Sequence, residues 1–508
     1  MRYDVIVLGG GSGGATVAAR LSEDEQKSVL LLEAGYDYPV FENIPDEVKD
    51  GNDVHRVTFG KHMWRWSAKA NGHQENPVEI LGGKVSGGGS AVNGTIFIRG
   101  LHQDFEEWVS LGNNEWSYQD LLPIFLGMET DLDYGGDFHG KTGPIPVQRV
   151  KPENLQASMK AFTDACVLAG FPECPDMNLP DTTGVGPRPL NNVKGTRVST
   201  SMAYLNPNRH RMNLTVRGNV LARRILFEGK RAVGVEVESG GEIYQLEANE
   251  IVLSCGAVGS PSVLLRSGIG PQEHLQQVGI PLVHHLPGVG ENLQDHPLIP
   301  VWFKHKPGLN EKPASSQVGL RYTAEGSNLF NDMYISPYPN FLVDGEYYSR
   351  FHVILERPIG SGVIRLRSTD PMEAPDIDLR FLDEPQDVAR MREGVRLASQ
   401  IGKESPYTGV FSERVAPTDA ELSEDGALDH WCRTHVVPAP HLVRSCKMGP
   451  ANDEKAVVNQ YCQVHGIDGL RVADASVFPE HVRANPNATT IMIGERVAQW
   501  IKNGIPQK

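Results

Sequence analysis

This 508-residue chain has no run approaching the roughly 18 apolar residues that a membrane-spanning helix requires. Its six cysteines (Cys166, Cys174, Cys255, Cys432, Cys446 and Cys462) are scattered, without a C-x-x-C pair. That spacing argues against a thiolate metal site and fits reduced thiols. The 17 histidines form no H-E-x-x-H, and the lack of C-x-x-C-H argues against a fused cytochrome. Internal repeats and low-complexity segments are absent as well. Positive charge is in deficit: 48 Lys and Arg stand against 63 Asp and Glu, a formal net charge of −15. Nucleic acid and anionic membrane surfaces are therefore poor partners. The first expected strand begins near residue 4, which leaves no room for a signal peptide, so the expected location is cytoplasmic.

What the chain does have is glycine, beginning with Gly9-Gly10-Gly11-Ser12-Gly13-Gly14. This run follows an apolar strand, Asp4–Leu8, and precedes a helical pattern; a second apolar run, Ser28–Leu32, ends in Glu33 and Ala34. Gly9, Gly11 and Gly14 satisfy G-x-G-x-x-G, with Ser12 and Gly13 inside it. The pattern supplies a tight turn, close approach to a pyrophosphate, and close helix–strand packing. The N–H groups at the helix start favour phosphate. Glu33 is placed to accept from a ribose 2′-hydroxyl and to repel a 2′-phosphate.

Further along, residues 219–227 and 231–237 read as a hairpin, and 250–254 as a buried strand running into a helix over 260–267. Residues 469–474 read as another strand and 488–503 as a helix. Nucleotide-type elements thus occur at both ends and in the middle. The expected class is α/β (α+β overall): a discontinuous Rossmann-like cofactor domain with an interleaved antiparallel-sheet substrate domain. The expected division is 1–297 mainly cofactor-binding, 298–461 mainly substrate-binding, and 462–508 returning to the cofactor domain.

Four ordered segments then carry a resemblance: Gly83–Asn93 (GKVSGGGSAVN), Gly256–Gly270 (GAVGSPSVLLRSGIG), Pro287–Pro297 (PGVGENLQDHP) and Asp474–Pro479 (DASVFP). Together they resemble the glucose–methanol–choline (GMC) flavoprotein oxidoreductases over almost the whole chain. The resemblance implies FAD. It would place Val220 near the adenine, Gly88, Ser90, Asn93 and Gly94 along the flavin and pyrophosphate, and Asp474 and Ala475 near the ribityl chain and phosphates. Asn485 is expected among the cofactor contacts. Some members tether flavin through a histidine beside the Asn93 position. Here that place holds Val92, so the expected FAD is non-covalent.

Oxidising an alcohol needs a base for the hydroxyl proton and a donor for the developing alkoxide. The family pattern puts a histidine eight residues before the glycine of a C-R-M-G-like segment; in Cys446-Lys447-Met448-Gly449 that residue is His441. The partner position, histidine or asparagine in the family, is assigned to Asn487 within Asn485-Pro486-Asn487. Arg444 departs from the family's glycine. Facing the flavin, it would lower the His441 pKa and clamp an acidic substrate; turned outward, it would form a salt bridge.

The expected reaction is oxidation of a primary or aryl alcohol to the aldehyde, with dioxygen, a quinone or another electron carrier as acceptor. Trp302, Phe303, Tyr334, Tyr338, Phe341, Tyr347, Tyr348 and Phe351, all between about 298 and 360, are candidates for lining an apolar cleft. Choline oxidases carry a glutamate just after Asp-His-Pro, where this chain has Leu298, so an uncharged alcohol is expected. Alternatives are a dehydrogenase for a carrier or redox-cofactor alcohol feeding a quinone, and a non-redox GMC relative.

Overall fold

A computed structural model describes residues 2–53, 56–309, 311 and 316–505. Two sheets dominate. The first has seven strands, in the order Leu214–Arg217, Val29–Leu32, Arg2–Leu8, Glu242–Leu253, Arg231–Ser239, Leu221–Glu228, with Leu470–Val472 also paired to Glu242–Leu253. Its nucleotide-binding half is parallel. Val5–Leu8 and Val29–Leu32 are buried without alternation, as expected for strands covered on both faces. The two remaining strands, Leu221–Glu228 and Arg231–Ser239, form the expected antiparallel hairpin.

Helix Ser12–Leu21 leaves the carboxyl end of Arg2–Leu8 and packs against the last helix, Asn487–Asn503. Gly256–Arg266 leaves the end of the neighbouring strand in the same way. Ligands of open α/β sheets lie outside these carboxyl ends. The N-terminal strand, the middle strand and the 470–472 strand are adjacent, so the cofactor domain is discontinuous in sequence.

The second sheet is antiparallel, in the order Phe411–Ala416, Pro297–His305, Glu346–Leu355, Met333–Val343, Val318–Tyr322, Gly184–Pro187. Its last strand comes from before residue 298, and helix Ala157–Leu168 contributes Met159, Phe162 and Ala165 to the core behind it. The interleaving therefore runs deeper than a boundary at 297/298 would allow.

Register decides which face of this sheet does what. Trp302, Arg350 and Tyr338 form one cross-strand row, Pro300, His352 and Ser336 the next, and Leu298, Ile354 and Tyr334 a third. Side chains alternate faces with a period of two. The intervening residues, Ile299, Val301, Phe303, Ile335, Phe351 and Val353, all join the buried core that includes helix Pro385–Ile401. Among the aromatics expected to line a cleft, Phe303 and Phe351 thus belong to the core.

Candidate active site

One continuous cavity of about 710 Å³ runs from the glycine loop, past Val220 and Asp474, to His441 and the three rows of the second sheet that face away from its core. Gly9, Gly11, Ser12, Gly13, Glu33, Ala34, Gly88, Asn93, Gly94, Val220, Asp474, Ala475, Asn485 and Asn487 all line it. Two expected contacts do not. Gly14 lies behind the loop, where a Cβ would come within 2.0 Å of the Gly9 carbonyl oxygen, so its function is helix–strand packing. Ser90 is buried and braces the second glycine segment, donating to Gly87 O at 2.6 Å and meeting the Thr200 hydroxyl at 3.0 Å.

The cradle fits a dinucleotide on its own geometry. Gly88 has φ +50°, and a Cβ there would stand 2.6 Å from Gly11 Cα. The two glycine segments therefore touch backbone to backbone, with no side chain filling the space above them. Glu33 accepts from Gly10 N and Gly35 N, both at 2.8 Å, so it holds the loop as well as facing the cavity. Asp474 accepts from Gly256 N and Ser260 with one oxygen and from Ser476 with the other. Burial raises both carboxyls above their ordinary range.

At the other end of the cavity, His441 is held by four groups, one of them His481, whose Nε2 donates to the His441 carbonyl at 2.9 Å. The His441 backbone N donates to Asp295 Oδ1 at 2.8 Å; its Nδ1 lies 3.0 Å from His296 Nδ1; its Nε2 lies 2.8 Å from Asn485 Nδ2. The proton positions follow by elimination. The Val482 carbonyl can only accept, so His296 donates to it from Nε2, at 3.1 Å. Burial holds His296 neutral, far below its ordinary pKa, so its Nδ1 accepts from His441 Nδ1–H. His441 Nε2 then carries the lone pair, toward which Asn485 Nδ2 donates. Burial, and after it the charge of Arg188, lowers the His441 pKa to about 3. The imidazole at neutral pH is an acceptor.

The pair at the ring is thus His441 with Asn485, whereas the sequence assigned the partner position to Asn487. Asn487 instead accepts from Ser12 Oγ at 2.8 Å, and its buried Nδ2 has no partner. Pro486 sets this alternation, because Asn487 is the first residue of the final helix and turns toward the helix that starts at Ser12. His296 and Asp295 were missed as site residues even though the Asp-His-Pro segment stood out. Only the tertiary fold brings that segment beside His441.

Arg444 takes the salt-bridge alternative, half-buried with its side chain 12% exposed. It has φ +72°, the left-handed region that a glycine adopts freely. Its Nη1 donates to Glu480 Oε1 at 3.2 Å, and Glu480 also pairs with Arg357 at 3.0 Å. Arg444 is absent from the cavity wall. The cation whose charge reaches His441 is instead Arg188, a cavity-lining residue 1% exposed, directly after the Gly184–Pro187 strand. No spacing or motif announces it.

Among the described residues, no helix is long and apolar enough to cross a membrane.

The whole length of the chain is similar to known proteins. Residues 3–298 and 358–494 match the N- and C-terminal patterns of the GMC oxidoreductases. The oxygen-dependent choline dehydrogenase of Photobacterium profundum is 36% identical over 539 residues, covering 99% of this chain and 94% of that protein. Among solved structures, pyridoxine 4-oxidase from Mesorbium loti superposes with a TM-score of 0.93 at 25% identity, covering 99% of this chain and 100% of the other. A fungal aryl-alcohol oxidase superposes with a TM-score of 0.85 at 24% identity, over 98% of both chains. With both patterns matched around a glycine cradle that opens onto a neutral histidine, the chain belongs to the GMC oxidoreductase family and is an FAD-dependent, alcohol-oxidising enzyme.

Proposed function

We propose that this enzyme oxidises a primary alcohol, aliphatic or aryl, to the aldehyde, with His441 as the general base. The observation that carries this reading is the unprotonated His441 Nε2 at the cavity wall, fixed by the His296–Val482 relay and met by Asn485 Nδ2, whose hydrogen bond the substrate hydroxyl displaces. FAD, when bound along the glycine cradle, supplies the two-electron acceptor for the carbinol hydride. His441 Nε2 takes the hydroxyl proton. Asn485 Nδ2, already directed at that atom, donates to the alkoxide oxygen as negative charge develops. The relay through His296 keeps the accepting nitrogen facing the substrate and holds the ring against rotation. Asp295 fixes the backbone beneath it.

FAD is read as dissociable, because Val92 lines the cavity at the place where a tethering histidine would stand. Choline is disfavoured as substrate because Leu298, an apolar residue, occupies the cavity wall just after Asp-His-Pro. Anaerobic mixing of the purified holoenzyme with a panel of alcohols tests the reading. Bleaching of the flavin absorbance supports it, and a fully loaded flavin that no alcohol bleaches overturns it. Rapid recovery on readmitting air identifies dioxygen as acceptor, and slow recovery identifies a quinone or carrier.

A further inference from the structure

The cavity-facing rows of the second sheet carry more positive charge than a neutral alcohol needs. Arg188 donates from Nε to the Tyr334 hydroxyl at 2.7 Å and from Nη1 to the Tyr338 hydroxyl at 3.3 Å. Arg350 lies directly across the ladder from Tyr338, with its guanidinium 3.8 Å from the Phe341 ring centre. Both arginines and both tyrosines line the cavity. Among the described residues, no carboxylate lies within ion-pair distance of either arginine, whereas the buried Arg99, Arg149, Arg390 and Arg483 each have one; the buried Arg197 and Arg321 also lack one, but they donate to backbone carbonyls and stand off the cavity wall. A desolvated guanidinium without a counter-ion is costly, and one that faces a cavity, as the buried Arg188 and the half-buried Arg350 do, offers its charge to an anionic ligand.

The geometry points to a substrate that carries its own carboxylate, received by Arg188 and Arg350 on either side of Tyr338 while its hydroxyl meets His441. This rests on the alcohol-oxidation reading above and replaces the uncharged substrate expected from residue types. Planar guanidinium forks suit a carboxylate, and Arg188 is held over the Tyr334 ring, 4.9 Å from its centre. Glu356, the acid on this part of the wall, does not serve as internal counter-ion. Burial pushes it up to about 8, so it is mostly protonated at neutral pH. The arrangement also concerns the base. Arg188 lowers the basicity of His441, and a carboxylate paired with Arg188 cancels that influence. His441 thus becomes a better proton acceptor when the substrate is in place.

The test uses holoenzyme and matched probes. Rates of anaerobic flavin reduction are compared for 3- and 4-(hydroxymethyl)benzoate, their methyl esters, and choline. Binding of benzoate and benzamide is followed through perturbation of the flavin spectrum. Charge-assisted pairing predicts a preference for acid over ester of about 10-fold or more, the scale of one such bond. In Arg350→Met that ratio falls toward unity, and Arg188→Lys retains part of it. A merely misfolded variant would lose acid and ester together and leave the ratio unchanged. An acid-to-ester ratio near one in the wild type, a ratio unchanged in an Arg350→Met variant that still reduces with the ester at the wild-type rate, or a preference for choline overturns the inference. Bleaching by neutral alcohols with benzoate silent leaves the alcohol reading standing and removes this one. Binding of benzoate but not benzamide, with no alcohol bleaching, removes the alcohol reading and with it the hydroxy-acid substrate, leaving the arginine pair as a carboxylate site alone.

Discussion

Asn485 Nδ2 stands 2.8 Å from His441 Nε2, the nitrogen that the His296 relay leaves unprotonated. A donor and a base therefore converge on one point of the cavity wall, where a substrate hydroxyl would share both. His441→Ala is expected to slow flavin reduction by about 10²-fold or more, the usual scale for loss of a general base. Asn485→Ala is expected to cost about 10- to 100-fold in the same stopped-flow measurement, with flavin content unchanged.

Asn487 gives the contrasting outcome. Its hydrogen bond to Ser12 ties the final helix to the glycine loop, so Asn487→Ala acts on flavin retention. Purified Asn487→Ala should hold less FAD per chain, while the loaded fraction reduces within about 3-fold of the wild type. A reduction defect matching that of Asn485→Ala would move the donor function to Asn487.

The His296 relay makes its own prediction. His296→Phe removes the acceptor for His441 Nδ1–H, which frees the ring to rotate and to exchange tautomers. The reduction rate should fall by about 10²-fold, and His296→Asn, whose amide oxygen can accept the same proton, should recover part of it. Equal loss in both variants would mean that only packing is at stake.

For pH, the signs follow from the directions of the shifts. His441 is lowered from 6.5 to about 3, so its neutral form persists well below the usual histidine range. The kcat/KM profile for an alcohol should be flat through pH 6.5, with no histidine inflection there. The associated stability is complete above about 6.5 and is lost as pH falls toward 3, because the unfolded chain takes up the proton first. Glu356 runs the other way: raised to about 8, it contributes most below its ordinary carboxyl range and loses that contribution as pH rises through 8. An alkaline limb near pH 8 that disappears in Glu356→Gln identifies this group.

Arg444→Gly should change little. Glycine relieves the positive φ by about 1 kcal/mol, Glu480 keeps Arg357, and one partly buried ion pair is lost. Melting temperature within a few degrees and flavin reduction within about 3-fold are the expected results. A large change in flavin potential would place Arg444 in the redox chemistry after all.

Much of the cofactor end was legible in the residues. The order of strand, glycine turn, helix, strand and Glu33 is local, and the turn demands glycine for steric reasons visible in one dimension. His441 was reachable because a short anchor follows it. Asn485 and Asn487 were not separable, since which of two amides meets a ring depends on how Pro486 and the helix start orient them. Arg188 lay further out of reach, because it meets Tyr334 and Tyr338 only across strands far apart in sequence. The aromatic residues of the second sheet sorted correctly only after pairing fixed their faces: Tyr334 and Tyr338 look into the cavity, and Phe303 and Phe351 into the core.

The strand Glu242–Leu253 lies between Arg2–Leu8, from the start of the chain, and Leu470–Val472, from near its end. On the ribosome, the glycine loop at residues 9–14 therefore emerges hundreds of residues before the strand and helix that complete its cradle. Cofactor capture is accordingly a late event in biosynthesis, and the same final segment delivers Asn485. A chain cut short before that segment would lose the floor of the nucleotide site and a partner of the base together, leaving no half-functional product that holds flavin without chemistry.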